Sequence, residues 1–125
     1  MTDKKYPNII IAEDVESNYL YLKAVLTKLD ANVFWARNGI EVLEICEREK
    51  DIDLVLMDLQ MPDMNGYEAT KILKVKYPGI PVIAQTAFAM SDDRDKAINA
   101  GCDDYLAKPI KSNDLLMMTM KFLHR

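Results

Sequence analysis

The sequence predicts an α/β domain: a five-stranded parallel sheet with helices on both faces. Two observations carry this. Five short apolar runs alternate with longer stretches of helical spacing. The runs are continuously apolar, as strands covered on both faces are. The length agrees. At 125 residues the chain is near the commonest single-domain size. A domain of that size buries roughly two-thirds of the surface of its unfolded chain, so it needs no disulfide or metal staple.

The elements follow in order. The first strand is NIIIA, Asn8–Ala12. Tyr19, Leu22, Val25, Leu26 and Leu29 then recur on one face of a first helix. NVFWA, Asn32–Ala36, is the second strand, and Val42, Ile45 and Cys46 fit a shorter second helix. DLVLM, Asp53–Met57, is the third strand and runs directly into Asp58. Tyr67, Thr70 and Leu73, with Ile72, fit a third helix entered through Asn65-Gly66 and stopped before Pro78-Gly79. PVIAQT, Pro81–Thr86, is the fourth strand. Ser91 is the expected N-cap of a polar fourth helix with Ala97 and Ile98 inward. DYLAK, Asp104–Lys108, is a weaker fifth strand, and Ser112 opens a fifth helix that runs to the chain end. Crossovers of this length join parallel strands with right-handed connections. No repeat or low-complexity linker interrupts the pattern, so residues 1–125 read as one domain.

Composition excludes several function classes. The net charge is -4 and no Lys/Arg cluster stands out, so no direct nucleic-acid partner is expected. No apolar run approaches the ~18 residues of a membrane span, and no membrane contact is expected. Cys46 and Cys102 are too few and too far apart for a disulfide framework; they read as reduced thiols of a cytoplasmic protein.

In sheets of this kind ligands bind outside the C-terminal strand ends, where the strand order reverses. Polar chemistry gathers at that edge. Glu13 and Asp14 follow the first strand, Asp58 follows the third, Thr86 ends the fourth, and Lys108-Pro109 follows the fifth. Two negative charges ~4 Å apart repel by about 4 kcal/mol at an effective dielectric near 20, so three carboxylates would not be gathered for stability. A hard divalent cation resolves the conflict, and Mg²⁺ takes one or two carboxylates while accepting phosphate oxygens. Lys108 supplies a point charge suited to a phosphoryl group, and Thr86 supplies a hydroxyl. The missing part is the phosphoryl group, for which Asp58 can be the nucleophile.

The stretches AEDVESN, VLMDLQMPDMNGYEA, IAQTAFA and GCDDYLAKPI resemble the receiver domain of two-component response regulators, most nearly the receivers of hybrid histidine kinases. The resemblance covers essentially the whole chain. It implies a flavodoxin-like doubly wound (βα)5 fold with strand order 2-1-3-4-5, and a single receiver domain over residues 1–125. It also implies that Asp58 accepts a phosphoryl group from the phosphohistidine of a sensor kinase or histidine phosphotransfer protein. Mg²⁺, or Mn²⁺, would be bound by Asp14, Asp58 and the backbone carbonyl of Gln60, with Glu13 acting through water. Lys108 would pair with the phosphoryl oxygens, Thr86 would swing to them, and Tyr105 would turn inward behind it. Met61-Pro62 and Gly66 match the turn after the acceptor, and the Lys108–Pro109 peptide is expected to be cis. Such a protein is a signalling switch that catalyses its own phosphorylation and dephosphorylation.

Residues two beyond the phosphoacceptor and two beyond the switch Thr border the path of the hydrolytic water in receivers. Here they are Gln60 and Phe88. Phe88 cannot orient water, which implies slow self-dephosphorylation. Asp63, Asp103 and Asp104 read as solvated turn acids, and His124 as structural in the last turn of the last helix. LLMMTMKFL is apolar on more than one helix face. It is either a generous core or an exposed patch for a homodimer or other partner through the fourth and fifth helices.

Two rival functions share the fold. A flavodoxin-like cofactor binder should carry a Ser/Thr/Gly-rich phosphate loop after the first strand, where this chain has acidic EDVESN. A receiver reduced to an interaction module should lack one of the five site residues, and none is missing.

Overall fold

The computed structural model describes residues 6–87 and 91–124. The elements are β1 (Asn8–Ala12), α1 (Glu16–Leu26) continued by a 3-10 turn (Thr27–Leu29), β2 (Asn32–Ala36), α2 (Gly39–Arg48), β3 (Leu54–Asp58), α3 (Gly66–Lys76), β4 (Val82–Thr86), α4 (Ser91–Ala100), β5 (Asp104–Ala107) and α5 (Ser112–Leu123). The five strands form one sheet in the order β2-β1-β3-β4-β5. All four pairings are parallel, as the sequence led us to expect. The chain passes from β1 to β2 on one side and returns to place β3 on the other. The order therefore reverses between β1 and β3.

Both faces of the sheet are buried, and the period-2 geometry of a strand divides its side chains between them. Ile10, Ala12, Val55, Met57, Val82 and Ala84 pack with Val42, Ile45 and Cys46 of α2 and Leu73 of α3. Ile9, Ile11, Leu54, Leu56 and Ile83 pack with Tyr19, Leu22 and Leu26 of α1 and Leu115 of α5. Each large side chain so buried contributes roughly 1.5–3 kcal/mol. Two helix starts are capped by asparagine: Asn38 accepts from Glu41 N–H at 2.9 Å, and Asn65 from Glu68 N–H at 3.0 Å.

Several local expectations are corrected. β3 is displaced by one residue, so Asp58 belongs to the strand and inherits its rigidity. Leu29 lies beyond α1 in the 3-10 turn. In α3 the inner face is Ala69, Thr70 and Leu73, with Tyr67 and Ile72 only half-buried. In α4, Ala97 and Ala100 point inward while Ile98 is 48% exposed. Positions i and i+3 share a face, and i+1 lies about 100° away. α5 does open at Ser112 as expected, with Lys111 at the N-cap position and no side-chain cap. The same helix stops at Leu123, and His124 follows as a left-handed C-cap with φ 61°. Asp103 is exposed, as expected, but it is also partnered: it accepts from Val82 N–H at 2.8 Å and Lys74 Nζ at 2.7 Å, tying β4 and α3 to the start of β5. Asp104 is half-buried and pairs with Lys121 at 3.5 Å. The Ser91 cap, which needs that residue's side chain, lies outside the described residues, as does Phe88.

Candidate functional site

The C-terminal ends of β1, β3, β4 and β5 bring the predicted residues to one edge. Glu13 follows β1 and is fully buried; Asp58 ends β3 at 2% exposure; Thr86 ends β4 and is buried. Asp14 is exposed beside them. Carboxylate oxygens of Glu13, Asp14 and Asp58 all lie within 4.8 Å of one another. Lys108, just after β5, places Nζ 2.8 Å from Asp58 Oδ2 and 3.5 Å from Glu13 Oε1. Its own N–H donates to the Thr86 carbonyl at 2.7 Å, which fixes the Lys108 backbone against β4. The Lys108–Pro109 peptide is cis.

The turn after Asp58 is held tightly. Gln60 N–H donates to Asp58 Oδ1 at 3.0 Å, and Leu59 N–H to the Gln85 carbonyl at 3.2 Å. Gly66, the first residue of α3, lies against the strand end. A Cβ there would stand 2.3 Å from the Asp58 carbonyl oxygen. The turn needs glycine for space, not for a left-handed backbone.

Electrostatics follow the crowding. Burial, reinforced by the Asp58 charge, pushes the Glu13 carboxyl above its usual range. Burial alone would lower the Lys108 ammonium. Its hydrogen bond and charge contact with Asp58, and the nearby Glu13, outweigh burial and hold it above the ordinary lysine value. Three acids share one ammonium, so negative charge is in excess. The donors are all hard oxygens, the set that suits a divalent cation of the Mg²⁺ class. Burial raises both thiols, Cys46 to about 11 and Cys102 in the same direction. Neither is a nucleophile near neutral pH.

Tyr105, on β5, is half-buried, with the Arg94 guanidinium 5.6 Å from its ring centroid. Beside the acids a groove of about 490 Å³ runs between α1 and the Lys108-Pro109 segment, lined by Asn18, Tyr21, Gln85 and Ala87 among others. Tyr21 hydroxyl donates to the Ile110 carbonyl at 2.8 Å and ties α1 to that segment. Reading the sequence did not find Asn18, Tyr21 or Gln85. Tyr21 lies off the buried stripe of α1, and that exposed position was the available signal.

A family model described as the response regulator receiver domain matches residues 9–119. The chain is 37% identical over 127 residues to hybrid signal transduction histidine kinase H of Dictyostelium discoideum; the match covers 97% of this chain and 9% of that protein. It is 40% identical over 105 residues to the polar-differentiation response regulator DivK of Brucella anthropi, covering 82% of this chain and 85% of the relative. Among solved structures, it is similar to the receiver domain of a sensor histidine kinase from Pseudomonas aeruginosa PAO1, with a magnesium ion coordinated in the active site cleft of that protein. The TM-score is 0.87, the identity 33%, and the coverage 96% of this chain and 99% of that one. A Saccharomyces cerevisiae response regulator receiver, crystallised with a histidine phosphotransfer signaling protein, is similar at a TM-score of 0.88 and 28% identity. That match covers 97% of this chain and 91% of that one.

Proposed function

This chain belongs to the response regulator receiver domain family and is a phosphorelay receiver, and from that premise we propose that Asp58 is the phosphoacceptor. The supporting observation is the meeting of three carboxylates within 4.8 Å with one ammonium 2.8 Å from Asp58. In this reading an Asp58 carboxylate oxygen attacks the phosphorus of a phosphohistidine. The new P–O bond forms as the P–N bond breaks, and the imidazole nitrogen leaves with the electron pair. Lys108, already beside Asp58, follows the transferred group and pairs with its oxygens. Thr86 hydrogen-bonds the phosphoryl group, and Tyr105 turns inward behind it.

Glu13, Asp14 and Asp58, with the Gln60 carbonyl, would hold Mg²⁺ or Mn²⁺. When bound, the ion neutralises charge on the phosphoryl oxygens. Lys108 is a weak substitute, since one ammonium faces three carboxylates. The donor is a histidine kinase or a histidine phosphotransfer protein. A homodimer or output partner would use α4 and α5, where Ile98, Met117 and Met120 are exposed. A cytoplasmic setting fits the two buried free thiols. No helix among the described residues is long and apolar enough to cross a membrane. We assign the whole span 1–125 to this one domain.

Incubation with acetyl phosphate and Mg²⁺ tests the reading. A mass increase of one phosphoryl group is expected, and none for Asp58→Asn. An unmodified wild type, or a variant modified to the same extent, would sink it.

A further inference from the structure

Trp35 reaches the acidic site through the backbone. Its indole N–H donates to the Glu13 carbonyl at 2.7 Å. The Glu13 N–H donates to the Ala36 carbonyl at 2.9 Å. Both main-chain groups of Glu13 are thus tied to consecutive residues of β2, and Asp14 is the next residue along. On the other side, Val15 N–H donates to Glu13 Oε2 at 3.1 Å. Asp14 is exposed, and the positions of its two neighbours decide where its carboxylate stands.

The indole is itself clamped. The Tyr19 ring stacks on it with centroids 4.3 Å apart and planes 6° from parallel. The Arg37 guanidinium carbon lies over the ring at 4.4 Å from the centroid. Both groups therefore contact the ring directly. Each contact is favourable in its own right, as an aromatic pair and as a cation over an indole. These contacts hold the ring with its N–H toward Glu13. The donor is fixed before any ligand arrives.

We propose that Trp35 is a positioning residue for the divalent-cation site: its clamped indole N–H fixes the Glu13–Asp14 backbone in the geometry that binds the ion. The proposal rests on the reading of Glu13, Asp14 and Asp58 as that site. Ligands ordered in advance lose less freedom on binding, and removing groups that orient metal ligands typically costs 10–100-fold in affinity. A neutral bond to the main chain belongs at or below the lower end of that range. The Mg²⁺ dissociation constant of Trp35→Phe should rise by roughly three- to tenfold.

Phenylalanine keeps an aromatic ring beside Tyr19 and Arg37 but has no donor. Calorimetric titration of wild type and Trp35→Phe with MgCl₂ measures the difference. A second readout needs no variant. Trp35 is the single tryptophan, so its indole N–H gives one NMR resonance. That proton should exchange slowly with solvent in metal-free protein, and no more slowly at saturating MgCl₂, as a donor fixed in advance requires. An indole proton that exchanges freely without Mg²⁺, or a variant affinity within twofold of wild type, overturns the proposal. A wild type that binds no Mg²⁺ overturns the cation site itself. That outcome is distinct from a wild type that binds while the variant matches it.

Discussion

The Lys108 ammonium lies 2.8 Å from the Asp58 carboxylate across 50 residues of sequence. Asp58 is 2% exposed and Lys108 28%, so the contact is shielded enough to order both groups. It also means that the proposed nucleophile is engaged before a phosphodonor arrives. Asp58→Asn should remove the nucleophile and leave the strand that carries it. Phosphoryl uptake, read by mass, should fall to background while urea unfolding stays cooperative. Labelling of the variant at the wild-type level would overturn the assignment.

Glu13 gives a prediction in pH. Its folded pKa is raised above the ordinary 4.5, first by burial and then by Asp58. The folded state therefore holds that proton more tightly than the unfolded chain does. The stability this confers is full below the unfolded value and is lost as pH rises through the folded one. Metal-free wild type should lose that increment with rising pH, and Glu13→Gln should not. The variant's relative stability should grow as pH rises above the ordinary carboxylate range, measured by urea unfolding in EDTA. A difference that shrinks as pH rises would contradict the prediction.

Gly66→Ala tests the turn. The new Cβ would meet the Asp58 carbonyl oxygen at 2.3 Å and the Leu59 Cα at 2.9 Å. Both are backbone atoms, so no rotamer change relieves the clash. A destabilisation of about 1–3 kcal/mol or more is expected, together with weaker Mg²⁺ binding as the end of β3 shifts. An unchanged urea midpoint would show that the turn yields freely.

Thr86→Ala should separate phosphorylation from switching. Thr86 is buried at the end of β4, and the Thr86–Lys108 backbone bond survives the change because it uses the carbonyl. The variant should still take phosphate. Amide hydrogen exchange along β5 on adding beryllofluoride should respond less than in wild type. A wild-type response would remove Thr86 from the switch.

The sequence position of Phe88, two beyond Thr86, carries the last prediction. Replacing it with Asn should supply a group able to orient water and speed loss of the phosphoryl group. Each tenfold gain corresponds to about 1.4 kcal/mol in the barrier. An unchanged or slower decay would show that Phe88 does not limit the water.

Much of this was legible in one dimension. Strands buried on both faces must be apolar at consecutive positions, so NIIIA and LVLM could be found without knowing their neighbours, as could NVFWA on the half-buried edge. Tyr19, Leu22, Val25 and Leu26 were legible because a helix returns the same face every three to four residues. Errors fell where that signal is thin. Ile98 read as core because α4 is polar and offered few apolar residues. The partners of exposed Asp103 were hidden because nothing local shows that Lys74 and Val82 will reach it.

The residue types of the site were likewise written in the sequence: acids after two strands, a hydroxyl after a third, a lysine after a fourth. Their approach to one another was not. Asp58 faces Gln85 and Thr86 faces Ala107 only through the register of β3, β4 and β5. The grip of Trp35 on Glu13 exists only because β2 lies beside β1. An aromatic in an edge strand carries no mark of what its edge will touch. Periodicity is a property of each segment and survives being read alone. The distance between Lys108 and Asp58, and the bond from Trp35 to Glu13, are properties of the strand order, which brings residues far apart in the chain within hydrogen-bond reach.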